Sequence, residues 1–239
     1  MWYYGVADAA DPSAAVAARV AETESLRALR NAQGAPALQA SAWQAAARGE
    51  IPTGLVSVEG VAARKAWGVA LLSLDIASIW AGINDETQHP GFTALGHSEL
   101  VSGRRCESGR HTLQFLPLSW VSDRWWVSVL TENRVLAERS RGQVLELTWQ
   151  SSVDPSEVTS ERGRQIVRDA TPLGWSKGGW YLTSVDAGHT LIEYYTWSDP
   201  GGSVPAGMAS AFAATGVRNQ ILAMDKFVRS KLSRCPVGG

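Results

Sequence analysis

From Val204 to Leu232 the chain carries one uninterrupted helical signal, with no proline after Pro205. Val217, Ile221, Met224, Val228 and Leu232 recur at spacings of three and four, and Met208 and Phe212 extend the same stripe toward its start. A helix of about 30 residues is roughly 45 Å long. Lys226, Arg229, Lys231 and Arg234 crowd its end, where the helix dipole favours cations. An apolar stripe of that length must lie against something equally long. Ahead of it the sequence offers a succession of strands rather than another helix.

The last of these strands is read most directly. In TLIEYYTWSDPGGSVPAGM, residues 190–208, Leu191, Glu193, Tyr195 and Trp197 alternate with Ile192, Tyr194 and Thr196. Asp199-Pro200-Gly201-Gly202 then ends the strand, and Ser203 stands where a helix cap belongs, with Pro205 in the first turn. Further strands are predicted at 97–105, 110–120, 124–132, 144–152, 179–185 and 189–197, with hairpin turns at Ser108-Gly109 and Asp186-Ala187-Gly188. Two more, at 54–61 and 65–74, precede a short helix, IASIWAGIN, capped by Asp75. Residues 12–48 read as two helices broken at Asn31–Pro36, Asp154–Val167 as a short helix and connection, and the segment holding Arg134, Arg139, Arg141 and Gly142 as a loop. An antiparallel sheet crossed by one long amphipathic helix is an α+β domain. The helix's first half is rich in Ala and Gly, which suits either close approach to the sheet or space between the two.

The balance of 22 basic against 23 acidic residues lacks the basic surplus that nucleic acid demands. No stretch has the length and apolarity of a membrane-spanning helix. The opening residues, MWYYGVADAADP, lack the basic and apolar regions of a signal peptide, yet a chain already trimmed of one reads the same. Cytoplasm and periplasm therefore both stay open. Cys106 and Cys235 have no metal-ligand spacing, and nothing in the sequence says whether they pair. The 11 tryptophans read first as packing residues.

Three stretches, in order, resemble the START (steroidogenic acute regulatory protein-related lipid transfer) domain of the helix-grip superfamily: KAWGVALLSLDIASIW at 65–80, LPLSWVSDRWWVSV at 116–129, and GGWYLTSVDAGHTLIEYYTWSDPGGSVPAGM at 178–208. The resemblance implies a helix-grip fold, with a curved antiparallel sheet wrapped around the C-terminal helix. The domain would span residues 50–235, behind an extra helical segment at 1–49. It also implies one lipid or other hydrophobic molecule held between sheet and helix, with no catalysis and no cofactor or metal. In that register Trp126, Ser128 and Leu130 face inward on one strand, and Ile192, Tyr194 and Thr196 on another. Met208, Phe212 and Val217 roof the cavity, and the strand's other face meets solvent. The sterol carriers' buried arginine falls at Leu130 and has no counterpart, which leaves sterol recognition without its arginine. The expected state is a monomer with transient membrane contact. The expected gate lies between the start of the last helix and the arginine loop after the 124–131 strand.

Two other classes remain open on the residues. A helix-grip enzyme, cyclase-like or hydratase-like, needs a titratable group facing the cavity, and His97, His111, His189 and Glu193 are its strand-borne candidates. No phosphate loop or H-E-x-x-H is present. A ligand-sensing module would use the N-terminal helices as a partner surface.

Overall fold

The structure is a computed structural model that describes residues 11–32, 34–119, 121–152, 154–201, 204 and 206–236, with the side chains of Ser152 and of residues 206–214 outside the description. The chain opens with helix α1 (Pro12–Thr23), a 3-10 turn (Glu24–Leu29) and α2 (Ala40–Ala47). Strands β1 (Thr53–Val58) and β2 (Val61–Leu72), helix α3 (Ile76–Ile83) and a 3-10 turn (Glu86–Gln88) follow. Next come β3 (His97–Ser102), β4 (Arg110–Leu116), β5 (Arg124–Glu132), α4 (Arg134–Arg139), β6 (Val144–Ser152) and α5 (Glu161–Asp169). The two-residue β7 (Thr171–Pro172), β8 (Trp175–Asp186), β9 (His189–Asp199) and α6 (Ala206–Ser230) complete the chain.

The strands form one sheet in the order β1-β2-β9-β8-β6-β5-β4-β3, antiparallel at every step, with β7 adding a parallel pair at the start of β5. Register shifts interrupt the β1–β2, β3–β4 and β8–β9 ladders. Such bulges bend and twist a sheet locally. The curved sheet grips α6 along its concave face, the α+β helix-grip arrangement that the strand order anticipates. The helix packs on β2 through Val217 and Ile221 and on α3 through Phe227 and Val228, with Ile79 and Ile83 of α3 in the same core. Two glycines allow the close approach. A Cβ on Gly68 of β2 would meet Val217, and one on Gly82 of α3 would meet Val228, each at 2.5 Å. The small residues in the first half of α6, and with them the cap at Ser203, lie outside the described side chains.

Local chemistry explains most element ends. Asp75 accepts from Ser78 N (2.8 Å) to start α3. Asp186 accepts from Gly188 N (2.8 Å) to close the β8–β9 hairpin. Asn133 accepts from Leu136 N (3.0 Å), so the segment expected as an arginine loop begins with a capped helix, α4. Lys231 takes a left-handed φ of 56° and ends α6 at Ser230. Leu232 thereby leaves the apolar stripe and is exposed.

The convex face of the sheet is covered, which corrects the expectation that the second face of β9 meets solvent. Val16 and Val20 of α1 and Ala42 and Ala46 of α2 pack on Val69 and Leu191. Beside this apolar contact, Arg27 and Arg30 both reach Glu193 of β9. Glu146 of β6 accepts from Asn31 N (2.6 Å), Ala32 N (3.2 Å) and Asn133 Nδ2 (2.8 Å). Tyr181 lies under both arginines, with guanidinium carbons 5.1 and 4.2 Å from its ring centroid. Two carboxylates buried in a sheet face require such partners, because an unpaired buried charge is strongly destabilising.

Cys106 and Cys235 form a disulfide, with Cα atoms 5.6 Å apart. It ties the segment beyond α6 to the β3–β4 connection. Asp85 reinforces the tie by accepting from Arg234 N (2.6 Å) and Arg105 Nε (3.0 Å).

Candidate functional site

Between the concave face and α6 lies a cavity of about 360 Å³. Strand alternation decides its walls. Arg124, Trp126, Ser128 and Leu130 line it from β5, Gln114 and Leu116 from β4, Leu147 and Trp149 from β6, and Tyr194, Thr196 and Ser198 from β9. Trp149, Trp180 and Tyr194 make one aromatic wall. The Tyr194 ring centroid is 4.2 Å from that of Trp180 and 5.6 Å from that of Trp149. Gly178 makes the wall possible, since a Cβ there would fall on the Trp149 indole and on the Tyr195 carbonyl. Burial pushes the Tyr194 phenol well above its ordinary pKa, so it stays protonated. The Trp126 Nε1 is already committed to Gln114 Oε1 (2.8 Å).

The two ends of the cavity differ. Its mouth lies where Arg64 and Ala94 are exposed and Leu118, Val121 and Leu173 are half-buried, at the Arg124 end of β5. Arg124 itself is buried and donates to the carbonyls of Pro200 (2.7 Å) and Gly201 (3.3 Å). The closed end holds Glu86 and His89 from the irregular stretch after α3. Arg110 Nε and Nη2 bind the two Glu86 oxygens (2.7 and 2.8 Å), Thr112 Oγ1 donates to Oε1 (2.7 Å), and Asn84 takes another Arg110 hydrogen (3.0 Å). Arg110 is fully buried and Glu86 nearly so. His89 Nε2 lies 3.0 Å from the Gly82 carbonyl, and burial lowers its pKa.

Of the nine residues expected at the site, five line the cavity: Trp126, Ser128, Leu130, Tyr194 and Thr196. Ile192 and Val217 do not. They share the inner face but are packed in the solid core under α3 and α6, where Gly68 brings the helix too close to leave space. Met208 and Phe212 lie outside the described side chains. The expected gate is also corrected. The segment after β5, with α4 and its arginines, stands at the Leu130 end of the strand, opposite the mouth. Arg110, which strand alternation does not single out, supplies a buried arginine directly across the ladder from Leu130.

The four strand-borne acid–base candidates all lie off the cavity lining. His97 pairs with Glu99 (3.2 Å), His111 with Glu157 (2.5 Å) and the exposed His189 with Asp186 (2.9 Å), while Glu193 is the buried anchor of the outer layer. The residues overlooked, Glu86 and His89, lie in a stretch without periodicity, so alternation had nothing to say about them.

No family model matches the chain, and no curated protein matches it. Solved structures do. A STAR-related lipid transfer protein fragment from Xanthomonas axonopodis superposes with a TM-score of 0.61, 19% identical, over 75% of this chain and 93% of that one. Human StAR-related lipid transfer protein 5 gives 0.62 at 10% identity, over 92% and 97%. The Zhui aromatase/cyclase from Streptomyces sp. R1128 gives 0.51 at 12% identity, over 74% and 99%. At these identities the likeness establishes a shared helix-grip fold. It extends to a transfer protein and to an enzyme alike, so the choice between them falls to the cavity's own chemistry.

Proposed function

We propose that this chain binds one hydrophobic small molecule, a lipid, between sheet and helix and carries it without chemical change. The observation that carries the reading is the cavity's make-up: an aromatic and aliphatic interior whose acidic group is already neutralised. Glu86 is held by Arg110 in a two-point ion pair, and its oxygens are shared with Thr112. A ligand burying about 300 Å² of hydrocarbon gains roughly 7 kcal/mol at ~25 cal/mol/Å², enough for micromolar-range binding before ordering costs. Such a carrier works as a monomer, meets membranes transiently at the Leu118–Leu173 mouth, and has no use for nucleic acid. The disulfide fits an oxidising compartment such as the periplasm.

A second reading, a cyclase-like or hydratase-like enzyme, is favoured by one observation: His89 lines the same cavity as Glu86. Native mass spectrometry of the purified protein, with extraction and identification of whatever co-purifies, separates the two. An intact co-purifying lipid that exchanges between vesicles supports carriage. A bound molecule that the protein converts to product, with the conversion lost in His89→Gln, sinks it.

A further inference from the structure

We propose that the convex side of the cavity's rim is a docking surface for an anionic lipid bilayer, centred on Lys65, Lys177 and the Trp197 indole between them. This rests on the reading of the cavity as a lipid site, and adds where the carrier lands and on which membranes. Thr196 faces the cavity, so its neighbour Trp197 faces outward from β9. The same alternation turns Trp175 and Lys177 outward about Ser176 on β8, and Lys65 outward beside the core residue Ala66 on β2. Lys177 pairs with Trp197 in register. The Lys177 and Lys65 ammonium nitrogens lie 4.5 and 4.8 Å from the Trp197 ring centroid, and Trp175 meets Trp197 edge-on at 4.9 Å.

Two like charges held this close on a sheet are unfavourable unless an anion joins them. Among the described residues none does. Lys65 donates to the Gly34 carbonyl (2.7 Å), and Lys177 is exposed with only the two indoles beside it. Burial and the neighbouring Lys177 both lower the Lys65 pKa. Asp199, across the ladder from Trp175, turns its Oδ1 to Gly201 N instead (3.0 Å). The cluster is therefore a concentration of positive charge that the chain leaves to an outside anion.

Its place in the fold selects the anion. Arg64 precedes Lys65 and Leu173 stands two residues before Trp175, and both line the mouth. Trp197 Nε1 donates to the carbonyl of Ala63 (2.8 Å), another lining residue, which leans the indole toward the same rim. One set of strand ends thus carries the mouth on its inner side and the lysine–tryptophan cluster on its outer side. A surface that meets the mouth meets both. Tryptophan settles where hydrocarbon gives way to headgroups, and lysine beside it is drawn to anionic lipid. A soluble phosphate finds two ammonium groups here but no walls. A bilayer offers phosphates to both lysines and depth to both indoles.

The test uses the full chain with its disulfide intact, flotation with vesicles, and N-phenyl-1-naphthylamine as a fluorescent reporter of the cavity. Vesicles of phosphatidylcholine are compared with vesicles of equal parts phosphatidylcholine and phosphatidylglycerol. The protein should prefer the anionic vesicles by about tenfold or more at low salt and lose most of that preference near about 0.5 M salt. A lysine at such a surface is worth about fivefold, so Lys65→Gln/Lys177→Gln should weaken partitioning about 25-fold while reporter affinity stays at the parent's value. Arg139→Gln/Arg141→Gln makes the same change in net charge at the far end of β5 and should leave partitioning within about twofold. Equal partitioning onto both vesicles overturns the assignment. So does a loss below about threefold in the lysine variant, or an equal loss in the arginine variant. Inorganic phosphate that releases the protein better than chloride at equal ionic strength makes this a discrete phosphate site and overturns the bilayer. A reporter that fails to bind, beside vesicle partitioning that follows the expected pattern, overturns the lipid-site reading and upholds the docking surface.

Discussion

Reduction of the Cys106–Cys235 disulfide should lower stability by an amount that chain length sets. The bridge spans 129 residues of sequence. Closing a loop of that size in the unfolded chain removes entropy worth about 5 kcal/mol at 25 °C. The folded state needs little rearrangement when the bond opens, because Asp85 still holds Arg234 N and Arg105, and Ser233 Oγ still donates to the Ala81 carbonyl (2.9 Å). The loss therefore falls on the unfolded side. For a chain of 239 residues the unfolding entropy is about 500 cal/mol/K, so the melting temperature should drop by about 10 °C. Circular dichroism melts of the parent with and without a phosphine reductant, and of Cys106→Ser/Cys235→Ser, measure it. The denaturant slope should also rise, since the unlinked chain exposes more surface. A double variant that melts within about 2 °C of the oxidised parent would refute the loop-entropy reasoning.

Gly178→Ala should cost about 1–3 kcal/mol and weaken N-phenyl-1-naphthylamine binding, because the new methyl displaces the Trp149 ring from the cavity wall; equilibrium unfolding and reporter titration check both. Glu193→Gln should destabilise by about 3 kcal/mol in denaturant melts while leaving reporter affinity unchanged, since it strips Arg27 and Arg30 of a shared carboxylate on the face away from the cavity. His89 gives a pH signature. Its folded pKa is depressed by burial, so its contribution is complete above the unfolded value near 6.5 and is lost as pH falls through the lowered folded value. Melting temperatures from pH 8 down to 5 should decline more steeply in the parent than in His89→Gln, and parallel curves would count against a buried neutral ring.

How much of this was legible in the sequence depends on the kind of signal. The stripe Val217, Ile221, Met224 and Val228 was readable because helix period and burial coincide: all four are buried. Leu232 obeys the same period and fails because Lys231 turns into the left-handed region first, a backbone choice that no periodicity records. Likewise α4 reads as a loop, because its arginines look like a solvated segment and its one clear signal is the Asn133 cap. The covering of the convex face was hidden for a different reason. Alternation along β9 shows that Leu191, Glu193 and Tyr195 share a face, but what covers them comes from residues more than 140 positions earlier. Glu193 read as a candidate acid because the arginines that neutralise it stand in the N-terminal segment.

The closed end of the cavity inverts the usual reading of an amphipathic strand. In β4, Arg110, Thr112 and Gln114 alternate with His111, Leu113 and Phe115. Ordinary half-buried strands place such polar residues toward water and their apolar neighbours inward. Here Leu113 packs with Trp125, Val127 and Ile166 in a separate outer core beneath α5, and the polar set faces the concave side. Both faces of β4 are therefore buried, and the polar one is tolerable because Glu86 meets Arg110 and Thr112 together. Period 2 decides which residues share a face; only the placement of α5 and of the Glu86 turn decides which face is the cavity. Ser128 follows from the same inversion. It lies opposite Thr112 on a face built to be polar at one end, and its hydroxyl has no partner among the described residues.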